Sequence, residues 1–245
     1  MTRLHDLHAE QGQSPWLDNL RRGWITSGEL RGWVDRGVRG ITSNPSIFQK
    51  AMTGTDAYDD QLRGLVDDGS SIVESYWALV VRDILDALDI LRPVYDESDG
   101  VDGYVSVEVD PTLAPDTEGT IAAARALDER INRPNLYVKI PATTEGIPAI
   151  RQMISEGRSV NVTLIFSLDR YADVMEAYVS GLEGCRGDLS SVSSVASFFI
   201  SRTDNEVDRR LDAIGTDDAL GLRGRAAVAQ GQVAYDMFQK VFSGQ

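Results

Sequence analysis

Six short runs rich in valine, isoleucine and aromatic residues, each followed by a helical pattern, constrain this chain most. They are Trp16–Leu20, Val38–Pro45, Tyr104–Asp110, Leu136–Thr143, Val160–Phe166 and a run within Ser193–Ile200. Strands that alternate with helices imply a parallel sheet. An open parallel sheet is covered on both faces and needs strands that are apolar almost throughout. Several of these strands instead have one apolar and one polar face. In the third, Val105, Val107 and Val109 share one side, while Tyr104, Ser106, Glu108 and Asp110 share the other. In the fifth, the valines and Leu164 are expected on one side and Asn161 and Thr163 on the other. That pattern suits an α/β fold of the (β/α)8 TIM-barrel type, where one strand face meets helices and the other points inward. No Gly-rich phosphate loop follows an early strand, which weakens a nucleotide-binding alternative.

The helices are placed by their caps and periodicity. Residues 1–15 read as a short helix or arm. Ser27 is expected to cap a helix that carries Leu30, Trp33 and Val34 and stops at Gly37. Asn44-Pro45 ends the second strand, and helices are expected over 46–52, 55–66 and 70–91. In the last of these Ile72, Tyr76, Leu79, Val80, Ile84, Leu88 and Leu91 recur at helical spacing, and Pro93 is expected to close it. Further helices are expected over 117–130, 144–156 and 168–184, the last capped by Ser167. Others start at Arg202 and run from about Asp217 to Phe242, with a stop at Phe242-Ser243-Gly244-Gln245. The organisation expected is one barrel domain over 1–245, with extra helices over 46–95 between strands two and three. Six of eight strands are countable, so the barrel is expected to be truncated in this chain.

Composition narrows the function. The formal net charge of -14 argues against nucleic acid and anionic membranes as partners. It leaves room for a local basic pocket holding a phosphorylated substrate. Cys185 is the only cysteine, so no intrachain disulfide forms and a reducing compartment is the simplest reading. The chain has no apolar run of membrane-spanning length, and Met1–Asp6 lacks a signal-peptide core; a cytoplasmic protein is expected. His5 and His8, the only histidines, read as surface residues of the N-terminal segment. Histidine triads and multi-histidine zinc sites are therefore disfavoured, and no metal is expected. Acid–base work falls to carboxylates, lysine, tyrosine or water.

Only three of the 24 basic residues are lysines: Lys50, Lys139 and Lys240. Lys139 sits mid-strand between Val138 and Ile140, where a charge is expensive. Burial disfavours an ammonium, and the free amine can attack a carbonyl. The bland alternative is a lysine that blunts a sheet edge. On the barrel hypothesis the inward polar set is Asp18, Thr42, Asn44, Glu108, Asp110, Lys139, Asn161, Thr163 and Ser197. Each has a plain structural reading. Asn44 serves a turn, Glu108 and Lys139 form a buried ion pair, and Asn161 and Thr163 satisfy each other. Taken together these readings are strained, because each buried polar group costs about 1–3 kcal/mol if unpaired. The chemistry the set supports is Schiff-base catalysis. An amine adds to a ketone, water leaves, and the iminium accepts the electrons of a breaking carbon–carbon bond. Carboxylates are needed to move the protons.

Several stretches then resemble the transaldolases, with wording closest to the longer actinobacterial members. They are Trp16-Leu17-Asp18, Gly40-Ile41-Thr42-Ser43-Asn44-Pro45-Ser46-Ile47-Phe48, Ser106-Val107-Glu108-Val109-Asp110-Pro111, Val138-Lys139-Ile140-Pro141-Ala142-Thr143, Gly146-Ile147, Asn161–Ser167 and Ser197–Arg202. The resemblance implies Lys139 as the Schiff-base lysine and Asp18 as the acid–base on the C4 hydroxyl. It implies Glu108, with Thr163, as the group that activates the catalytic water. Thr42, Asn44 and Asn161 would contact substrate, Ser197 and Arg202 would bind phosphate, and Phe199 would line the site beside them. The implied reaction moves a dihydroxyacetone unit from a ketose phosphate to an aldose phosphate, without metal or dissociable cofactor. Two alternatives stay open. One is a class I aldolase that releases free dihydroxyacetone. The other is an inactive barrel that works by association, with a homo-oligomer as the partner state.

Overall fold

The computed structural model describes residues 1–243, so Gly244 and Gln245 of the expected C-terminal stop lie outside the described residues. Six strands follow chain order in one sheet: β1 (Trp16–Asp18), β2 (Gly40–Thr42), β3 (Tyr104–Glu108), β4 (Leu136–Pro141), β5 (Val160–Ile165) and β6 (Ser194–Phe198). The β1–β2, β2–β3, β3–β4 and β5–β6 pairings are parallel. This is the α/β order expected of a (β/α)8-type fold, with six of its strands present. The chain forms two compact units: Met1–Pro111 with Ala123–Lys139, and Thr112–Ala122 with Ile140–Gln245.

In the first unit, α1 (Arg3–Gln11) precedes β1, and two helices follow it where one was predicted. These are α2 (Arg22–Thr26) and α3 (Glu29–Asp35). Ser27 is not the N-cap of α3. It ends α2, and Gly28 caps α3 from the left-handed region at φ 79°, where glycine carries no Cβ penalty. After β2, Asn44 caps α4 (Pro45–Met52): its Oδ1 accepts the Ile47 N–H at 3.0 Å, with Pro45 at the first helical position. Then come α5 (Asp59–Asp67) and α6 (Ile72–Glu97). A reciprocal cap starts α6, with Ser71 bonding the Glu74 amide and Glu74 bonding the Ser71 amide.

Two expectations about α6 fail. Pro93 lies inside the helix rather than closing it. Pro93 and Asp89, four residues before it, are both exposed. A carbonyl freed by the missing proline N–H can be hydrated there, and buried Leu88 and Leu91 hold the other face. Ile72 is 90% exposed because it stands at the first helical position, outside the buried stripe. Asp83, on the buried side of α6, receives Arg22 Nε at 2.7 Å and the Tyr58 hydroxyl at 2.8 Å. Burial pushes the Asp83 carboxyl up, against the two hydrogen bonds that pull it down. Burial pushes the Tyr58 phenol up as well.

The polar-looking face of the early strands is partly aromatic. Trp16 stacks on Tyr137 at 6.1 Å, Tyr137 on Tyr104 at 4.1 Å, and Tyr104 meets Tyr95 edge-on at 5.3 Å. Gly40 makes room for this stack. A Cβ there would fall 2.3 Å from Trp16 Cε2. Gly40→Ala is therefore expected to overpack the site and lower stability by roughly 1–3 kcal/mol. A urea midpoint equal to the wild type's would show that the ring turns aside freely.

The second unit holds the end of β4, then α8 (Gly146–Ser155), β5, α9 (Leu168–Gly184), β6, α10 (Ser201–Ile214), α11 (Asp217–Leu220) and α12 (Ala226–Phe242). The helix before β4, α7 (Thr117–Ile131), is divided between the units. Ser167 caps α9 as expected, its Oγ accepting the Arg170 N–H. β5 departs from strict alternation. Leu164 has φ 58° and is 37% exposed while Ile165 is buried, so Leu164 does not share the valine face. The β5–β6 register shifts between Val162 and Ile165 at this point. No helix among the described residues is long and apolar enough to cross a membrane.

Candidate active site

Strand ends supply the polar side chains. Asp18, Thr42 and Glu108 are the last residues of β1, β2 and β3. In barrel folds, chemistry collects at these carboxyl ends. Lys139 stands within β4, directly in register with Glu108. In-register neighbours on parallel strands project to the same face, so the two side chains meet. Lys139 Nζ lies 3.3 Å from Glu108 Oε2 and donates to the Ser43 carbonyl at 3.2 Å. The Ser43 segment is anchored in turn, its Oγ donating to the Ser106 carbonyl at 2.7 Å. Lys139 is only 6% exposed. It is a buried amine beside a carboxylate, and not an edge lysine.

The other expected residues of this unit stand nearby in register. Asp18 pairs with Thr42 across β1 and β2, and Thr42 pairs with Ser106 across β2 and β3. Asp18 is exposed. The Thr42 hydroxyl is buried with no hydrogen-bond partner among the described residues. Asn44 lies beyond β2, where its Oδ1 is engaged by the α4 cap. One neighbour escaped the sequence reading. Tyr76 of α6 was placed only on an apolar helix stripe, yet burial pushes its phenol up and the Asp110 and Glu108 carboxylates add to the rise. Its O–H stays protonated beside them. A tyrosine on an otherwise aliphatic stripe was the available signal.

In the second unit, Asn161 and Thr163 are both 1% exposed. Asn161 Oδ1 accepts the Ser197 hydroxyl of β6 at 2.9 Å. The Thr163 carbonyl accepts the Ala142 N–H at 2.8 Å. Beyond β6, the Phe199 ring stacks on Phe166 at 5.0 Å and 18°. The Arg202 guanidinium lies 4.7 Å from the Phe199 ring centroid. Arg202 is exposed in the first turn of α10, whose N-terminus has no side-chain cap. A helix N-terminus and a guanidinium held on a ring together form a setting for an oxyanion. Among the described residues no group of three or more His, Cys, Asp or Glu side chains is arranged to hold a metal ion.

The sequence pattern of the transaldolase/fructose-6-phosphate aldolase family matches residues 15–243. A protein named transaldolase from Thermobifida fusca is 52% identical over 239 residues, covering 96% of this chain and 65% of that protein. Transaldolase 1 of Streptomyces coelicolor is 50% identical over 240 residues, covering 96% and 63%. A transaldolase of Parafrankia sp. is 52% identical over 244 residues, covering 98% and 66%. The chain thus spans 63% to 66% of the length of these relatives.

Proposed function

Because the chain belongs to the transaldolase/fructose-6-phosphate aldolase family, we propose that it is a Schiff-base enzyme that transfers a dihydroxyacetone unit between sugar phosphates. The observation that carries this reading is Lys139 Nζ, buried and held 3.3 Å from Glu108 Oε2. The amine adds to the ketose carbonyl, and the resulting hydroxyl leaves as water once protonated. Glu108 is the group placed to give and take protons at that nitrogen and to activate water for the reverse hydrolysis. The iminium then draws in the electrons of the C3–C4 bond as the C4 hydroxyl loses its proton, a role for Asp18. The aldose phosphate leaves, and the enamine left on Lys139 adds to the next aldehyde.

Thr163 is the proposed holder of the catalytic water. Thr42, Asn44 and Asn161 are proposed to contact substrate hydroxyls. Ser197 and Arg202, with Phe199 beside them, are proposed to hold the phosphate. The donors proposed are fructose 6-phosphate and sedoheptulose 7-phosphate, in the non-oxidative pentose phosphate pathway of the cytoplasm. The family description includes aldolases, but the relatives named above are transaldolases, which favours transfer over release.

Borohydride added to the protein with fructose 6-phosphate or dihydroxyacetone should reduce the imine and leave the carbon skeleton on Lys139. Peptide mass mapping reads the position. A folded sample with no adduct at Lys139 would overturn the proposal. Release of free dihydroxyacetone with no acceptor aldehyde present would favour the aldolase reading.

A further inference from the structure

β5 ends in a strained kink, and something must hold it. A left-handed conformation costs an L side chain roughly 1–2 kcal/mol and persists only where its surroundings over-determine it. Leu164 at φ 58° is such a residue, one position after Thr163 and two before Phe166. Its neighbour Ile165 is anchored by the sheet, its carbonyl accepting the Phe199 N–H at 2.9 Å. Phe166 lies past the end of the strand, where the ladder stops.

The restraint on Phe166 comes from α12. Gln230 Nε2 donates to the Phe166 carbonyl at 2.8 Å. The same amide's Oε1 is buried with no hydrogen-bond partner among the described residues. An orphaned acceptor is costly, and it is the consequence of turning the amide so that its donor reaches Phe166. The helix is seated closely enough to keep that orientation. A Cβ at Gly231 would lie 3.0 Å from Ile200 Cδ1, and the Ala227 N–H bonds Asp204 Oδ1 of α10 at 3.0 Å. Phe166 in turn is the surface on which Phe199 stacks, and Phe199 carries the Arg202 guanidinium.

We infer that Gln230 is a positioning residue for the Phe199–Arg202 anion site. It fixes the kinked end of β5 through the Phe166 carbonyl, and the Phe166 ring sets the plane on which Phe199 and Arg202 rest. The inference deepens the proposed function and depends on its assignment of Arg202 to phosphate. A helix nearly thirty residues downstream of Arg202 thereby tunes affinity for the phosphate end of a ligand without touching it.

The test uses inorganic phosphate titrated into the chain and followed by NMR, with dihydroxyacetone labelling of Lys139 as the second readout. Gln230→Met keeps the side chain's length and volume but removes the donor. Phe166→Leu keeps the segment apolar but removes the ring. Both variants are expected to raise the phosphate Kd, Gln230→Met by about fivefold, the weight of one neutral hydrogen bond. Labelling by dihydroxyacetone, which has no phosphate, should be unchanged. Arg202→Ala should abolish phosphate binding. Wild-type affinity in either Gln230→Met or Phe166→Leu, with binding lost in Arg202→Ala, would overturn the positioning role and leave the anion site standing. No phosphate binding by the wild type, or binding indifferent to Arg202→Ala, would overturn the anion site itself and the role of Gln230 with it. Parallel losses of phosphate affinity and Lys139 labelling would reduce Gln230 to a structural residue and also overturn the inference.

Discussion

Lys139→Met is expected to abolish the borohydride-trapped adduct and to weaken the fold in the same molecule. The first effect follows from the lost amine. The two remaining lysines are exposed, Lys50 on α4 and Lys240 on α12, where Lys240 pairs with Asp236 at 2.6 Å. Neither is buried beside a carboxylate as Lys139 is, so neither should inherit the reaction. The second effect follows from Glu108. Its side chain is 11% exposed, and its Oε2 lies 3.3 Å from Nζ. Removing one partner of a buried ion pair costs up to about 3–5 kcal/mol. The residual water contact of Glu108 puts the expected loss at the lower end. Urea unfolding and intact-mass analysis check the two effects separately. An adduct that persists in Lys139→Met would place the reactive amine elsewhere. An unchanged urea midpoint would mean that Glu108 does not depend on Lys139. The double variant Lys139→Met/Glu108→Gln should recover part of the loss, since a neutral amide is cheaper to bury than a carboxylate.

What could be read from the sequence depends on where each signal lies. Lys139 was legible because the anomaly is local: a charge between Val138 and Ile140 in a chain whose ordinary cation is arginine. The sheet order and most helices were legible because period and caps are local too, as with the Ser167 cap of α9. Pro93 misled because the rule that proline ends helices assumes a carbonyl with no access to water, and this one lies on an exposed face. Leu164 was misplaced because a non-glycine residue in the left-handed region carries no composition signal; only the β6 register reveals it. Asp83 drew no attention in the sequence, since its partner Arg22 lies 61 residues away. Gln230 was invisible for the same reason. A glutamine on a helix surface is ordinary until the Phe166 carbonyl, 64 residues earlier, is found beneath it. The pattern is physical: local anomalies are readable one residue at a time, while long-range pairs need the fold.

Glu108→Gln is expected to slow imine formation about 10²–10⁴-fold, the usual worth of a positioned acid–base. Forming the imine requires a proton to leave nitrogen and a proton to reach the departing hydroxyl. A carboxyl group 3.3 Å from Nζ can serve both transfers in turn, and an amide can serve neither. The substitution is nearly isosteric, and the Ser43 carbonyl still receives the Lys139 N–H, so the amine keeps its place. The expected signature is therefore kinetic. Samples quenched with borohydride at increasing times after dihydroxyacetone addition should reach the wild-type extent of labelling, but far more slowly. Tyr76→Phe separates this from a competing account. The Tyr76 phenol, pushed up by burial and by the Asp110 and Glu108 carboxylates, retains its proton and is a second candidate donor. If Glu108 carries the transfer, Tyr76→Phe should leave the labelling rate close to wild type. A slow Tyr76→Phe beside a fast Glu108→Gln would move the acid–base role from the strand to the helix, and Glu108 would be left as the counter-charge of Lys139.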